Sequence, residues 1–511
     1  MGRCFRRGST WLPSVSRKRE KKPRERMDEA RTYDEWKSAA LDEDRRTGAD
    51  AWRRERRSRR YDYRVVERRL AEVQEVKASG DPHRLLFYLN EGIHGNQGGM
   101  GTPALYRKAQ FGTKDLVTDY IAELSGALEM VADVDDDVIS LPEKLEFFRR
   151  SSHCFGRSAI MYSGGGALGP FHLGVSKALI EQGLLPGVIS GASAGAIVAA
   201  VLGTRTDEEV HSTLEARAVV EGFGGISEGS LELIKGRRQM SIEDVRCFVE
   251  RQIPDLTFQE AFELTGRRIN ISISPRELHQ CSRLMNAITS PNVFIREAVL
   301  ASCAIPGVFP PVTLAAKDHA GERRPYVASR KWVDGSVTND LPAKRLIRLY
   351  GVNHLITSQT NPFAVWALRD NTADETLVGR LWKIGQDANR EWLRATYPFA
   401  MDLTKRSYPL SFLTRMAYSV AVQDYTADIN ILPRRRFWNP NKLLAILTEE
   451  ETDAMIREGE VSTWPKLEMI RNCTRISRTL DRILDRLEAR SLDALDAPAP
   501  PLPLSRAAAQ G

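Results

Sequence analysis

Apolar positions recur at helical spacing through the first third of the chain. Val65, Val66, Leu70 and Val73 form one stripe, and Leu116, Val117, Tyr120, Ile121, Leu124 and Leu128 form another. The glycine-rich stretch 92–101 reads as a loop between them. The acidic run 133–137 has the composition of a calcium loop but lacks the Gly and terminal Glu at the required spacing, so it reads as a solvated linker.

From residue 158 the pattern changes. A short apolar run, 159–162, meets Gly164, and helical spacing follows through Leu173, Ala178 and Leu179 to Gly183. Val188 and Ile189 meet another glycine turn and a second apolar helix over 197–202. Residues 269–273, 326–333 and 354–358 read as later strands. Strands alternating with helices imply an α/β fold with a largely parallel central sheet. Residues 361–465 mix Trp, Tyr, Phe and Arg without a sustained period. Residues 466–492 predict an amphipathic helix, with Leu467, Ile470, Cys473, Ile476, Leu480, Ile483 and Leu487 on one face. The Pro/Ala-rich tail 496–511 reads as disordered.

Two uncharged windows, 158–176 and 182–204, imitate membrane spans in length. Each carries five glycines and a proline, which suits a buried strand–turn–helix unit better than a lipid-facing helix. No transmembrane segment is expected.

The net charge of +7 over 511 residues is local in origin. Residues 1–26 hold ten Arg/Lys and two Glu, so the rest of the chain sums to −1. This argues against a general nucleic-acid-binding face and leaves one basic tail. The tail lacks the apolar core of a secretory signal, and Arg6 stands where a myristoylation site wants Ser or Thr. It reads as a disordered arm over 1–27 or as sequence ahead of a start at Met27, with a contact to an anionic membrane or nucleic acid as the other option. Six cysteines without a Cys-x-x-Cys pair, and no His-Glu-x-x-His, argue against a disulfide framework and a zinc site. The expected setting is reducing and cytoplasmic, and no metal or cofactor is called for.

Three motifs carry chemistry. Gly191-Ala192-Ser193-Ala194-Gly195 is a Gly-x-Ser-x-Gly between a strand and a helix, where a tight turn projects the serine hydroxyl. A second copy of the pattern, 225–229, sits in a glycine-rich stretch without that context and reads as a loop. Gly164-Gly165-Gly166-Ala167-Leu168-Gly169 also lies between a strand and a helix. It matches the dinucleotide fingerprint, but no carboxylate ends the next strand, as that reading requires. Backbone donors for an oxyanion fit better. Asp334-Gly335-Ser336 closes a strand. At the carboxyl ends of parallel strands, loops converge on one crevice. A serine, a donor loop and an aspartate there make a hydrolytic site. His354 follows in the chain order of a conventional triad, but it opens a strand rather than closing one. His172 and His319 are placed no better.

These three motifs, in this order, resemble the patatin-like phospholipase family. The stretches 301–311 and 339–342 are similar to it as well. The resemblance implies a three-layer patatin-like fold with Ser193 as nucleophile, Asp334 as base of a Ser–Asp dyad and 164–169 as oxyanion loop. Leu168 stands where many members carry a basic residue, and Ser336 where many carry Gly or Ala, which bears on substrate preference. Residues 33–130 and 352–362 resemble the subgroup of fungal and plant storage-triacylglycerol lipases. The expected organisation is a helical module over 28–150, a catalytic domain over 155–350, an extension over 351–465 that completes the core, and the helix 466–495. The expected activity is hydrolysis of a lipid ester, of triacylglycerol lipase or phospholipase A type, at a membrane or lipid-droplet surface. Trp382, Trp392, Tyr397, Phe399, Tyr408 and Phe412 among basic residues in 379–420 suit such an interface. A non-catalytic lipid-binding protein of the same fold is the alternative.

Overall fold

The computed structural model describes residues 22–93, 95–223, 240–277, 280–306, 308–335, 340–361, 364–365, 427–434 and 444–496. Outside them lie the first 21 residues, the second Gly-x-Ser-x-Gly at 225–229, Ser336, the aromatic–basic segment 379–420 and the tail from 497.

Among the described residues seven strands form the central sheet, in the order β4 (Arg283–Met285), β3 (Arg268–Pro275), β2 (Val188–Gly191), β1 (Arg157–Tyr162), β8 (Val352–Ser358) and β9 (Ile429–Ile431). The seventh, β7 (Trp332–Asp334), pairs with β3 off this path. The pairs β1/β2, β2/β3, β1/β8 and β8/β9 are parallel, whereas β4 and β7 run antiparallel to β3. A separate hairpin joins β5 (Ala315–Lys317) and β6 (Arg323–Pro325). The expected strand over 326–333 shrinks to 332–334. Val312 pairs with Trp332 across an isolated bridge, and the residues before Trp332 form turns.

Side-chain alternation splits the sheet's two faces. Ile160, Tyr162 and Ile189 enter one core with the helices Gly169–Glu181 and Ala194–Gly203. Ala159, Met161 and Val188 enter another, beneath the helix Ala343–Tyr350 through Leu346 and Tyr350. With both faces covered, the strands read as near-continuous apolar runs. The helix Glu449–Thr463 closes on Gly169–Glu181 at a crossing of two glycines. A Cβ on Gly174 would overlap the Ile456 carbonyl, and one on Gly459 that of Phe171.

Before the sheet the described chain is helical, beginning with Pro23–Glu29, so the end of the expected basic arm is folded. Tyr63–Ala78, Pro82–Asn90, Asp115–Ala132 and Leu141–Phe155 bury Val66, Leu70, Val73, Leu124, Leu128 and Phe148 in a core of their own. The C-terminal helix, Leu467–Asp496, joins the two halves. Leu467 and Ile470 pack in the sheet core, and Ile476, Leu480, Ile483 and Leu487 pack in the helical one. The acidic run 133–137 is more than a solvated linker. Asp133 pairs with Arg486, and Asp136 pairs with Arg490 and the fully buried Lys144. Lys144 also donates to the Val134 carbonyl.

Candidate active site

β2 ends at Gly191, and Ser193 stands at the N-cap of the helix Ala194–Gly203. Ser193 has φ 51° and ψ −121°, and it is the one non-glycine residue with positive φ among the described residues. Holding an L-residue in such a conformation costs on the order of 1–3 kcal/mol. Two glycines make the turn possible. A Cβ on Gly191 would overlap the Gly195 carbonyl oxygen, and a Cβ on Gly195 would overlap that of Tyr162. Ala192 N–H donates to the Tyr162 carbonyl at 3.2 Å, and Gly195 N–H to that of Ala192 at 2.9 Å.

Asp334 ends β7 and is buried. One short bracket, at the end of the helix Ile295–Cys303, holds both Asp334 and Ser193. Ser302 Oγ accepts the Ser193 N–H at 2.9 Å and donates to the Ser272 carbonyl of β3 at 2.8 Å. Cys303 Sγ donates to the Ser193 carbonyl at 3.5 Å. The Ala304 carbonyl accepts the Asp334 N–H at 3.0 Å. Burial, and then the Asp334 charge, push the Cys303 thiol up, so it stays protonated. Ser193 and Asp334 thus hang from one three-residue anchor. Gly335, next in the chain, leaves no room for a side chain against the Ser272 backbone.

Residues 164–169 follow β1. Gly166 has φ 54°, and Gly166–Leu168 makes one helical turn that leads into Gly169–Glu181. Gly165 runs close under Thr360, whose hydroxyl a Cβ would overlap. As the first groups of a helical turn, the N–H groups of Gly166 and Ala167 have no acceptor within it. Gly166, Ala167, Gly169 and Ser193 line one cavity together with Leu173, Ile197, Val198, Val201, Val245 and Phe248. Leu168 does not line this cavity. A serine on a strained turn, backbone donors beside it and a nearly all-apolar cavity can together accept an acyl group.

The histidines lie elsewhere in role. His172 is fully buried beneath the glycine loop. Its Nδ1 meets Ser358 Oγ at 2.6 Å, and its Nε2 meets both the Ser163 carbonyl and Thr360 Oγ1 at 3.0 Å. Burial holds it at about 4, below the usual imidazole range. His354 pairs with Ser158 near the start of β1, four residues, or about 13 Å at ~3.3 Å per residue, from the carboxyl end of β8.

Residues 160–347 match the family model described as patatin-like phospholipase, and residues 14–153 match a domain of unknown function, DUF3336. Triacylglycerol lipase ptl3 of Schizosaccharomyces pombe is 32% identical over 477 residues, covering 91% of this chain and 97% of its own. The chain belongs to the patatin-like phospholipase family. Triacylglycerol lipase SDP1L of Arabidopsis thaliana is 33% identical over 475 residues and triacylglycerol lipase 4 of Saccharomyces cerevisiae 34% over 494. The match covers 90% and 91% of this chain, but only 58% and 53% of those relatives, so the chain spans little more than half their length.

Within this patatin-like site, sequence reasoning missed three supports: the 302–304 bracket, Asp340, and the residues 358–361 that underlie the glycine loop. The stretches 301–311 and 339–342 carried a family likeness without a role. A buried-type Asp six residues after Asp334, beside Pro342, was the available signal for the second.

Proposed function

We propose that the protein is a serine lipid acyl hydrolase of triacylglycerol lipase or phospholipase A type. Ser193 is the nucleophile, held on its strained turn in the lining of an apolar cavity; that single arrangement carries the reading. Asp334 takes the hydroxyl proton as Ser193 attacks the ester carbonyl. N–H groups of the 164–169 loop stabilise the negative charge on the tetrahedral oxygen. The leaving alcohol takes up the proton, and an acyl-enzyme remains. Asp334 then deprotonates a water that releases the fatty acid.

The names of the relatives favour triacylglycerol among the candidate esters. A triacylglycerol is insoluble in water, so in this reading the protein meets its substrate at a lipid surface. A fluorophosphonate probe tests the core of the proposal. Labelling and triolein hydrolysis should both vanish in Ser193→Ala. Hydrolysis surviving in that variant would remove the nucleophile, and folded protein that neither labels nor hydrolyses would favour the lipid-binding alternative. Triolein emulsion set against phosphatidylcholine vesicles separates the two substrate classes.

A further inference from the structure

Asp340 lies six residues beyond Asp334 and is almost fully buried. Its Oδ1 accepts the Gly164 N–H at 2.8 Å, and its Oδ2 accepts Asn361 Nδ2 at 3.4 Å. Gly164 opens the glycine loop after β1, Asp340 follows β7, and Asn361 follows β8. The carboxylate therefore joins three loops at the ends of three strands. Thr360 and Ser163 complete the join: Ser163 Oγ accepts the Thr360 N–H at 2.8 Å and the Asn361 N–H at 3.3 Å.

We propose that Asp340 is a positioning residue for the hydrolytic reaction, whose carboxylate fixes the entry of the 164–169 loop so that the donors after Gly164 face Ser193. This rests on the reading of that loop and Ser193 as catalytic. Gly164 spends its own N–H on Asp340 and so is not an oxyanion donor; the donors are the next groups along. Loss of the anchor lets the loop rotate about the flexible Gly164–Gly166 run.

The setting gives the clasp a pH response. Burial, with a smaller push from the Asp334 charge and against the bonds from Gly164 and Asn361, raises the Asp340 carboxyl to about 7. Among neighbouring titratable groups, Asp334 on β7 bears on it directly. His172, under the loop, and Cys303, beside Ser193, are both held neutral by burial. Protonated Asp340 is a weaker acceptor for Gly164, because the charge-assisted bond is roughly twice as strong as a neutral one.

The test is triacylglycerol hydrolysis from pH 5 to 9, with kcat expressed per fluorophosphonate-titrated site. Asp340→Ala should lower kcat about 10²-fold, the scale of a misplaced catalytic group, with KM little changed. Asp340→Asn keeps an acceptor for Gly164 at every pH. It should recover at least tenfold over Asp340→Ala at pH 8, and the fall in activity that wild type shows near pH 7 should move to lower pH. Asp340→Ala within twofold of wild type overturns the proposal. If that variant does not fold, a wild-type acid limb in Asp340→Asn overturns it instead. A fully active Ser193→Ala would sink the functional reading beneath it, whereas a dead Ser193→Ala beside an unaffected Asp340→Ala sinks this inference alone.

Discussion

Ser302→Ala tests how the nucleophile turn is held. The hydroxyl is fully buried, accepts from Ser193 N–H at 2.9 Å and donates to the Ser272 carbonyl at 2.8 Å. Its removal leaves a buried donor without an acceptor, which costs about 1–3 kcal/mol, and forfeits a second bond worth about 0.5–1.5 kcal/mol. The expected destabilisation is therefore about 1.5–4.5 kcal/mol. At about 2–4 °C per kcal/mol for a unit of 150–250 residues, the unfolding midpoint should fall by roughly 3–18 °C. Activity should drop further than folding explains. Ser193 stays at φ 51° only because its surroundings over-determine it. With its N–H released, the turn relaxes and the hydroxyl leaves its attack position, so kcat per titrated site should fall by about 10²-fold. Ser158→Ala is the matched control. That hydroxyl meets His354 at 3.3 Å at the opposite end of β1 and should leave kcat unchanged. A Ser302→Ala protein with wild-type unfolding and kcat within twofold would refute the bracket as the support of the turn.

Other substitutions probe the remaining parts. Asp334→Asn should abolish triolein turnover while His354→Ala keeps most of it, and equal loss in both would replace the dyad with a histidine base. Val201→Trp should fill the cavity wall and depress hydrolysis of long-chain relative to butyrate esters; an unchanged chain-length profile would exclude this cavity as the acyl site. His172 is held at about 4 when folded against ~6.5 when unfolded, so its stability is intact above pH 6.5 and is lost as pH falls towards 4. Denaturant titrations of wild type and His172→Gln should show that acid slope shrink in the variant, and equal slopes would count against the assignment. Leu480→Ala, in the core shared by the C-terminal helix and the N-terminal helices, should cost about 2–5 kcal/mol; a loss under 1 kcal/mol would mean that the two elements are not packed as one body.

Legibility of the fold followed burial. β1 and β2 are short, buried on both faces and bounded by glycine, so their apolar runs stood out, and the long amphipathic helix at 467–496 showed its full period. β7 is shorter than 326–333 because Ser329-Arg330-Lys331 separates Trp332 and Val333 from the apolar Tyr326-Val327-Ala328, which lie in bends and a turn. β4, β5, β6 and β9 have three residues each, too few for any period to register. In the site, residues tied to a local pattern were readable: Ser193 by its turn, 164–169 by its glycines, Asp334 by the strand it ends. The supports were not. Ser302 meets Ser193 across 109 residues of chain, and Asp340 meets Gly164 across 176. Neither contact leaves a trace in the spacing of neighbours.

Asp340 also carries a cost to the fold. Its folded carboxyl sits at about 7 against ~3.9 in an unfolded chain. A raised carboxylate contributes stability below pH 3.9 that is lost as pH rises through 7, so at pH 8 the buried charge costs a few kcal/mol. An asparagine could accept from Gly164 without that cost. Close by, Ser193 adds its own backbone strain. Tyr162, Ile189, Ala196 and Val198 belong to the sheet core, and Gly174 and Gly459 let the helix that follows the loop cross Glu449–Thr463 closely. Asp340→Asn should be at least as stable as wild type at pH 8 while its pH–activity profile changes, a pairing that a purely structural hydrogen bond would not produce.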